Sequence, residues 1–211
     1  MNSYKLLFHQ QLGNHDQHRL ASRLGVERGD LINIMLQTLP GIAVTYQGEE
    51  MVLVNTHLTW EQTVDPWACN SDQIRYEGFS RDPGRTPFPW DTTKNAGFST
   101  GPTTWLPVNP DYTYNNVQTQ TAATNSHLKI FKRLTKLRKN NVLRQGLYLG
   151  ALTNNDNVFV YKRWYADDIA VAVLNFGSSE ETVDVKAVFT DITESTLKVY
   201  TASLNTAFDV G

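Results

Sequence analysis

The chain has 211 residues, 40% hydrophobic and 19% charged, with a formal net charge of −2. That length suits one large domain or a domain and a half, and that composition excludes an intrinsically disordered chain. So small a net charge gives no electrostatic reason to expect nucleic acid or an anionic membrane as partner.

Cys69 is the single cysteine, so no disulfide closes within the chain. The opening MNSYKLLFHQQ holds only Leu6, Leu7 and Phe8 as an apolar run, too short for the core of a secretion signal. No stretch reaches the roughly 18 consecutive apolar residues of a membrane span.

Residues 12 to 46 read as strand, polar loop, helix, strand, the rhythm of a βαβ unit. Leu31, Ile32, Met35, Leu36 and Leu39 recur at helical spacing, Asp30 stands where a cap belongs, and Pro40-Gly41 stops the helix. Ile42 to Tyr46 is short, apolar and β-branched, which predicts a buried strand. Residues 49–124 then hold most of the prolines and four of the five tryptophans. A connection of that length is usually functional. Ser126 to Lys139 predicts a helix with Ile130, Phe131, Leu134 and Leu137 along one face. The runs NVFVYKRWY, IAVAVLNFG, ETVDVKAVF and TLKVYTAS predict strands of an antiparallel β domain, with a boundary near residue 141.

Asn14, His15 and Asp16 follow the first predicted strand. In parallel α/β folds, functional groups collect on loops at the carboxyl ends of strands. A His-Asp pair there can bind a metal, run acid–base chemistry or hold a polyhydroxylated ligand. The alternative is an Asx turn whose side chains satisfy nearby backbone groups.

Five motifs in order decide between these. GNHDQHRLASRLG, TLPGIAVTYQGEE, WEQTVDPWACN, SRDPGRTPFPWD and NAGFST…TWLPVNPDY resemble, in the right order, the α-glucosidase (maltase) branch of the α-amylase family of glycoside hydrolases, insect maltases in particular. The resemblance runs over roughly residues 12 to 205. It implies an α/β plus β architecture. Residues 1–140 would supply about the last two βα units of a TIM (β/α)8 barrel, and residues 141–211 an antiparallel β-sandwich domain, incomplete at both ends. The family's nucleophilic aspartate and acid/base glutamate sit on earlier strands, whose motifs are not in this sequence. The resemblance therefore implies a chain that is inactive alone.

It also implies roles. Asp16 corresponds to the carboxylate that stabilises the transition state, and His15 to the imidazole that donates to a hydroxyl of the glucose being cleaved. Arg85 would hold the non-reducing end of the substrate, with Arg81 in support. The alternative for both arginines is a loop-bracing ion pair with Asp82 or Asp91. The substrate class would be maltose, sucrose or short α-glucans, with no cofactor, metal, nucleic acid or membrane contact. The localisation implied is extracellular, secreted or membrane-anchored. A non-catalytic relative, such as the heavy subunit of an amino-acid transporter, is the competing implication, as is a truncated pseudo-enzyme.

Other features have simpler readings. Glu49 and Glu50 point to opposite sides and are expected to shape a loop. Arg19 and Arg23 are expected to brace, and the basic run Lys129 to Lys139 to form a solvated helix face. Trp60, Trp67, Trp90 and Trp105 are expected mostly to pack the long segment. His18 and His57 lack metal-ligand spacing.

Overall fold

A computed structural model describes residues 9–193 and 196–206. In chain order it contains β1 (His9–Gln11), α1 (Leu20–Leu24), α2 (Gly29–Thr38), β2 (Ile42–Val44), α3 (Pro66–Cys69), α4 (Tyr76–Phe79), α5 (Val117–Ala122), α6 (His127–Leu137), α7 (Asn141–Arg144), β3 (Leu147–Thr153), β4 (Val158–Tyr165), β5 (Asp168–Asn175) and α8 (Val185–Val188). Two compact units emerge among the described residues: 9–10, 30–43, 130–193 and 196–206 form one, and 11–29 and 44–129 the other.

In the first unit, β3, β4 and β5 make an antiparallel sheet in that order. Leu147 pairs with Trp164 at one end of β4, and Val158 with Asn175 at the other. β4 is buried on both faces. On one face Val158 and Val160 pack with Phe189 and Ile192, joined by Val183, Val185 and Val188. On the other, the Arg163 guanidinium donates to the carbonyls of Thr38 (2.8 Å), Leu143 (3.0 Å) and Gly146 (2.9 Å). Those carbonyls lie at the ends of α2 and α7, where helices leave acceptors unsatisfied.

Two of the predicted strands differ. Residues 181–189 alternate like a strand, but the Asp184 carboxylate accepts from Lys186 N (3.0 Å) and Ala187 N (3.1 Å), and this cap starts α8. The valines that looked like one strand face lie instead against β4. In TLKVYTAS the described residues, 196–203, carry no ladder.

α2 begins one residue before the expected cap. Asp30 sits in its first turn, and its Oδ2 accepts from Leu204 N at 3.0 Å. β2 is shorter and more exposed than predicted, because among the described residues it pairs with β1 alone in a two-stranded sheet and Ile42 keeps 42% of its surface. α6 buries Ile130 and Leu134 as expected. Its basic face is not simply solvated: the Arg138 guanidinium donates to Gln37 O (2.6 Å) and Gly41 O, beside the C-terminus of α2, where a cation suits the dipole.

The second unit is built mainly of turns. Met51, Leu53 and Leu128 form its core with Phe88 and Val117. Gln120 ties this core together: its amide donates to Met51 O (3.1 Å) and Asn115 Oδ1 (2.7 Å), and its carbonyl accepts from Leu128 N (2.8 Å). Among the described residues no helix is long and apolar enough to cross a membrane.

Candidate active site

The tripeptide Asn14-His15-Asp16 folds as an Asx turn, with Asn14 Oδ1 accepting from Asp16 N at 2.8 Å. Asn14 therefore orients the loop, and the two candidate side chains beyond it stay at the surface: the side chains of His15 and Asp16 are 68% and 49% exposed. His15 Nε2 lies 3.5 Å from Asp16 Oδ2. The other oxygen, Oδ1, accepts from two guanidinium groups, Arg81 Nη1 at 3.1 Å and Arg85 Nη2 at 2.9 Å. Arg85 Nε also donates to the His15 carbonyl at 2.7 Å, so one guanidinium clamps both the turn and its carboxylate.

Arg81 has a second and stronger hold. Asp65 Oδ1 accepts from Arg81 Nη2 at 2.6 Å, and Asp65 Oδ2 accepts from Arg81 Nε and from its backbone N, each at 2.8 Å. The ion-pair partner of Arg81 is thus Asp65, not the Asp82 or Asp91 of the alternative reading. Asp65 is buried, and its hydrogen bonds to Arg81 hold its carboxyl well below the usual carboxylate range. The same bonds push the Arg81 guanidinium up. Trp67 lies under the guanidinium, 4.2 Å from Cζ to the ring centroid.

Asp82 acts one step further back. Its buried Oδ2 accepts from Val64 N and Asp65 N, each at 2.8 Å, fixing the backbone that carries Asp65. The order of support is Asp82, Asp65, Arg81, Asp16. Sequence reasoning missed Asp65, Trp67 and Asp82 in these roles. The available signal was the pair of Asp-Pro steps, Asp65-Pro66 and Asp82-Pro83, each a helix start with a proline in its first turn.

Two glycines allow these loops to meet. A Cβ on Gly84 would lie 3.1 Å from the Gln17 carbonyl, so the arginine-bearing turn approaches the Asp16 turn backbone to backbone. A Cβ on Gly13 would fall 2.1 Å from Glu49 Oε1. Glu49 and Glu50 shape the loop as expected, accepting from Tyr46 N (3.0 Å) and Gly48 N (2.7 Å). Burial pushes the Glu49 carboxyl up to about 7.

Arg19 and Arg23 brace and do not reach Asp16. Arg19 Nη1 donates to Gln47 O at 2.7 Å, and Arg23 Nε to His18 O at 3.0 Å. His18 Nδ1 accepts from Asn55 Nδ2 at 2.5 Å, while Asn55 Oδ1 accepts from Arg19 N at 2.8 Å. The tryptophans depart from expectation: Trp67, Trp90 and Trp105 are 62%, 51% and 69% exposed, because the turns of this unit bury aliphatic residues and leave the large rings outside.

The cluster brings together two carboxylates, two guanidinium groups and an imidazole. Asp65 balances Arg81 and Asp16 balances Arg85, so the cluster is close to neutral while Asp16 Oδ2 faces outward beside His15. Such a group can accept from hydroxyls and face a developing positive charge.

Comparison with known proteins shows the family. The sequence profile of the alpha-amylase catalytic domain matches residues 2–146. Maltase A1 of Drosophila melanogaster is 48% identical over 198 residues, 93% of this chain and 34% of its own. Salivary alpha-glucosidase of Anopheles gambiae is 49% identical over 193 residues, 92% of this chain and 32% of its own. A crystal structure of a trehalose-6-phosphate hydrolase variant from Bacillus licheniformis superposes with a TM-score of 0.70 at 28% identity, covering 78% of this chain and 33% of that one. The chain thus spans about a third of the length of these relatives. The profile match covers well over half of the sequence, and the chain belongs to the alpha-amylase family of glycoside hydrolases.

Proposed function

We propose that this chain forms one wall of a retaining α-glucosidase site, releasing glucose from the non-reducing ends of maltose, sucrose or short α-glucans. The observation that carries the reading is the shared grip of Arg81 and Arg85 on Asp16 Oδ1, which holds Oδ2 outward beside His15. Retaining glycosidases pass through an oxocarbenium-like transition state flanked by two carboxyl groups. Asp16 would act as a third carboxylate, facing the developing charge from a fixed position and needing no reorganisation as charge forms. His15, exposed and adjacent, would donate to a hydroxyl of the bound glucose. Arg85 would hold the sugar directly, since its fork suits vicinal hydroxyls. Arg81, committed to Asp65, would position Asp16.

The finer architecture belongs to the same proposal. Residues 1–140 would be the last two βα units of a (β/α)8 barrel with the segment 49–124 inserted, and residues 141–211 part of a β-sandwich domain. The intact Asn14-His15-Asp16 turn with both arginines favours descent from an active enzyme over a non-catalytic transporter subunit, because a scaffold has no use for an outward carboxylate so heavily supported.

The test has two arms. Purified chain alone should not turn over p-nitrophenyl α-glucoside, because nucleophile and acid/base would have to come from elsewhere. A chimera carrying residues 12–205 in place of the matching third of a full-length α-glucosidase should hydrolyse it. Turnover by the chain alone, or an inert but folded chimera, would reject the reading.

A further inference from the structure

The turn that holds Arg81 also borders a second feature. An open groove of about 540 Å3 is lined by Glu61, Gln62, Asn95, Trp105 and Tyr112, together with Val64, the residue before Asp65. Apart from Val64, no residue lining it belongs to the Asp16 cluster or its supports. Its volume lies in the range of small-molecule sites.

Three observations bear on what it takes. Trp105 is 69% exposed, and among the described residues no other ring stacks on it. Its apolar face is presented within a concave surface, not packed away. Next, the lining carries amides, hydroxyls and one carboxylate but no lysine or arginine. That inventory accepts and donates hydrogen bonds to a neutral polyhydroxylated ligand and offers no positive charge to an anion. Finally, the backbone is strained beside the groove: Asn95, Ala96 and Gly97 run left-handed in succession, with φ of 54°, 55° and 66°. Only glycine adopts that region without cost, and such strain gathers at ligand-binding segments. The conformation is pinned by the Ala96 carbonyl, which accepts from Trp90 N (2.8 Å) and Asp91 N (3.2 Å). Asn95 Nδ2 donates to Ser99 O (3.1 Å) and Gly101 O (2.9 Å), which shapes the loop leading to Trp105.

We infer that this groove is a second carbohydrate site. One pyranose ring stacks its C–H face on the Trp105 indole, and its hydroxyls bond to Glu61, Gln62 and the carbonyl of the Asn95 side chain. The inference does not depend on the Asp16 reading, which glucoside turnover in the chimera scores separately.

The probe is maltotriose, titrated into the whole chain and followed by ligand-observed saturation-transfer NMR. Saturable binding is expected. Trp105→Ala should weaken it roughly tenfold, the order expected for losing an aromatic stacking partner, while Trp105→Phe retains most of it. Lys139→Ala, an exposed change that lines neither the groove nor the Asp16 cluster, should leave it within about twofold. Glu61→Gln, an exposed change that leaves the fold intact, should weaken binding without abolishing it. No saturable binding, binding indifferent to Trp105→Ala, or equal loss in Lys139→Ala would each overturn the assignment.

Discussion

Asp65 grips Arg81 from the side and the end at once, 2.8 Å to Nε and 2.6 Å to Nη2, and through Arg81 it reaches the outward carboxylate of Asp16, 3.1 Å from Nη1. The buried carboxylate does not itself face the surface. It sets the position of one that does.

Asp65→Asn should therefore lower stability by about 3 kcal/mol, the order seen when one partner of a buried ion pair is removed. Urea unfolding measures this, and a loss under about 0.5 kcal/mol would show that the pair contributes little. The wild-type pair also predicts acid lability. The Asp65 carboxyl is depressed in the folded chain, so its contribution is fully present above about pH 4 and is lost as the pH falls further.

Glu49 carries the opposite sign. Its folded value of about 7 lies above the roughly 4.3 of an unfolded glutamate, so the native state binds the extra proton between them. Stability from this group is present below about pH 4.3 and is lost as the pH rises through about 7. Melting temperature should fall by a few degrees between about pH 5 and pH 8 and should fall less in Glu49→Gln. Identical pH profiles for the two proteins would refute the assignment.

Gly13→Ala places a methyl group 2.1 Å from the Glu49 carboxylate. Overpacking of this kind costs about 1–3 kcal/mol. If the clash is the cause, Glu49→Ala should be less damaging in the Gly13→Ala background than alone, a coupling that a double-mutant cycle detects.

Thr38 and Tyr161 make an asymmetric pair. Thr38 Oγ1 donates its one proton to Ile34 O at 2.7 Å, so the Tyr161 hydroxyl is the donor in their 2.5 Å contact. Tyr161→Phe leaves Thr38 satisfied and should cost about 1 kcal/mol. Thr38→Val strands a buried hydroxyl and should cost more, about 2 kcal/mol. The reverse order would show that the donor was misassigned.

In the α-glucosidase chimera, Asp16→Asn should lower kcat on the order of a hundredfold or more with little change in KM, as for a lost transition-state contact. Arg85→Ala should raise KM and lower kcat together. Near-normal kcat in Asp16→Asn would remove the role proposed for it.

Much was legible in the sequence where the controlling physics is local. The 3.6-residue spacing of Leu31 to Leu36 and of Ile130 to Leu134 depends only on which face is apolar, and α2 and α6 followed. The Asx turn at Asn14 forms with a partner two residues away. The run 181–189 misled because alternating valines suit either a strand or the cover over one. The Asp184 cap and the apolar face of β4 decided for the cover.

Apolar spacing and alternation located α2, α6, β4 and β5, and the ordered motifs pointed to the family, because neither signal depends on contacts between distant residues. Tertiary structure alone decided that Arg81 answers to Asp65 sixteen residues away and not to its neighbour Asp82, and that Asp82 serves instead to hold the backbone of Asp65. The reason is distance along the chain. A carboxylate beside an arginine in sequence competes with every carboxylate that folding brings near it, and only the closed turn fixes which one reaches the guanidinium edge.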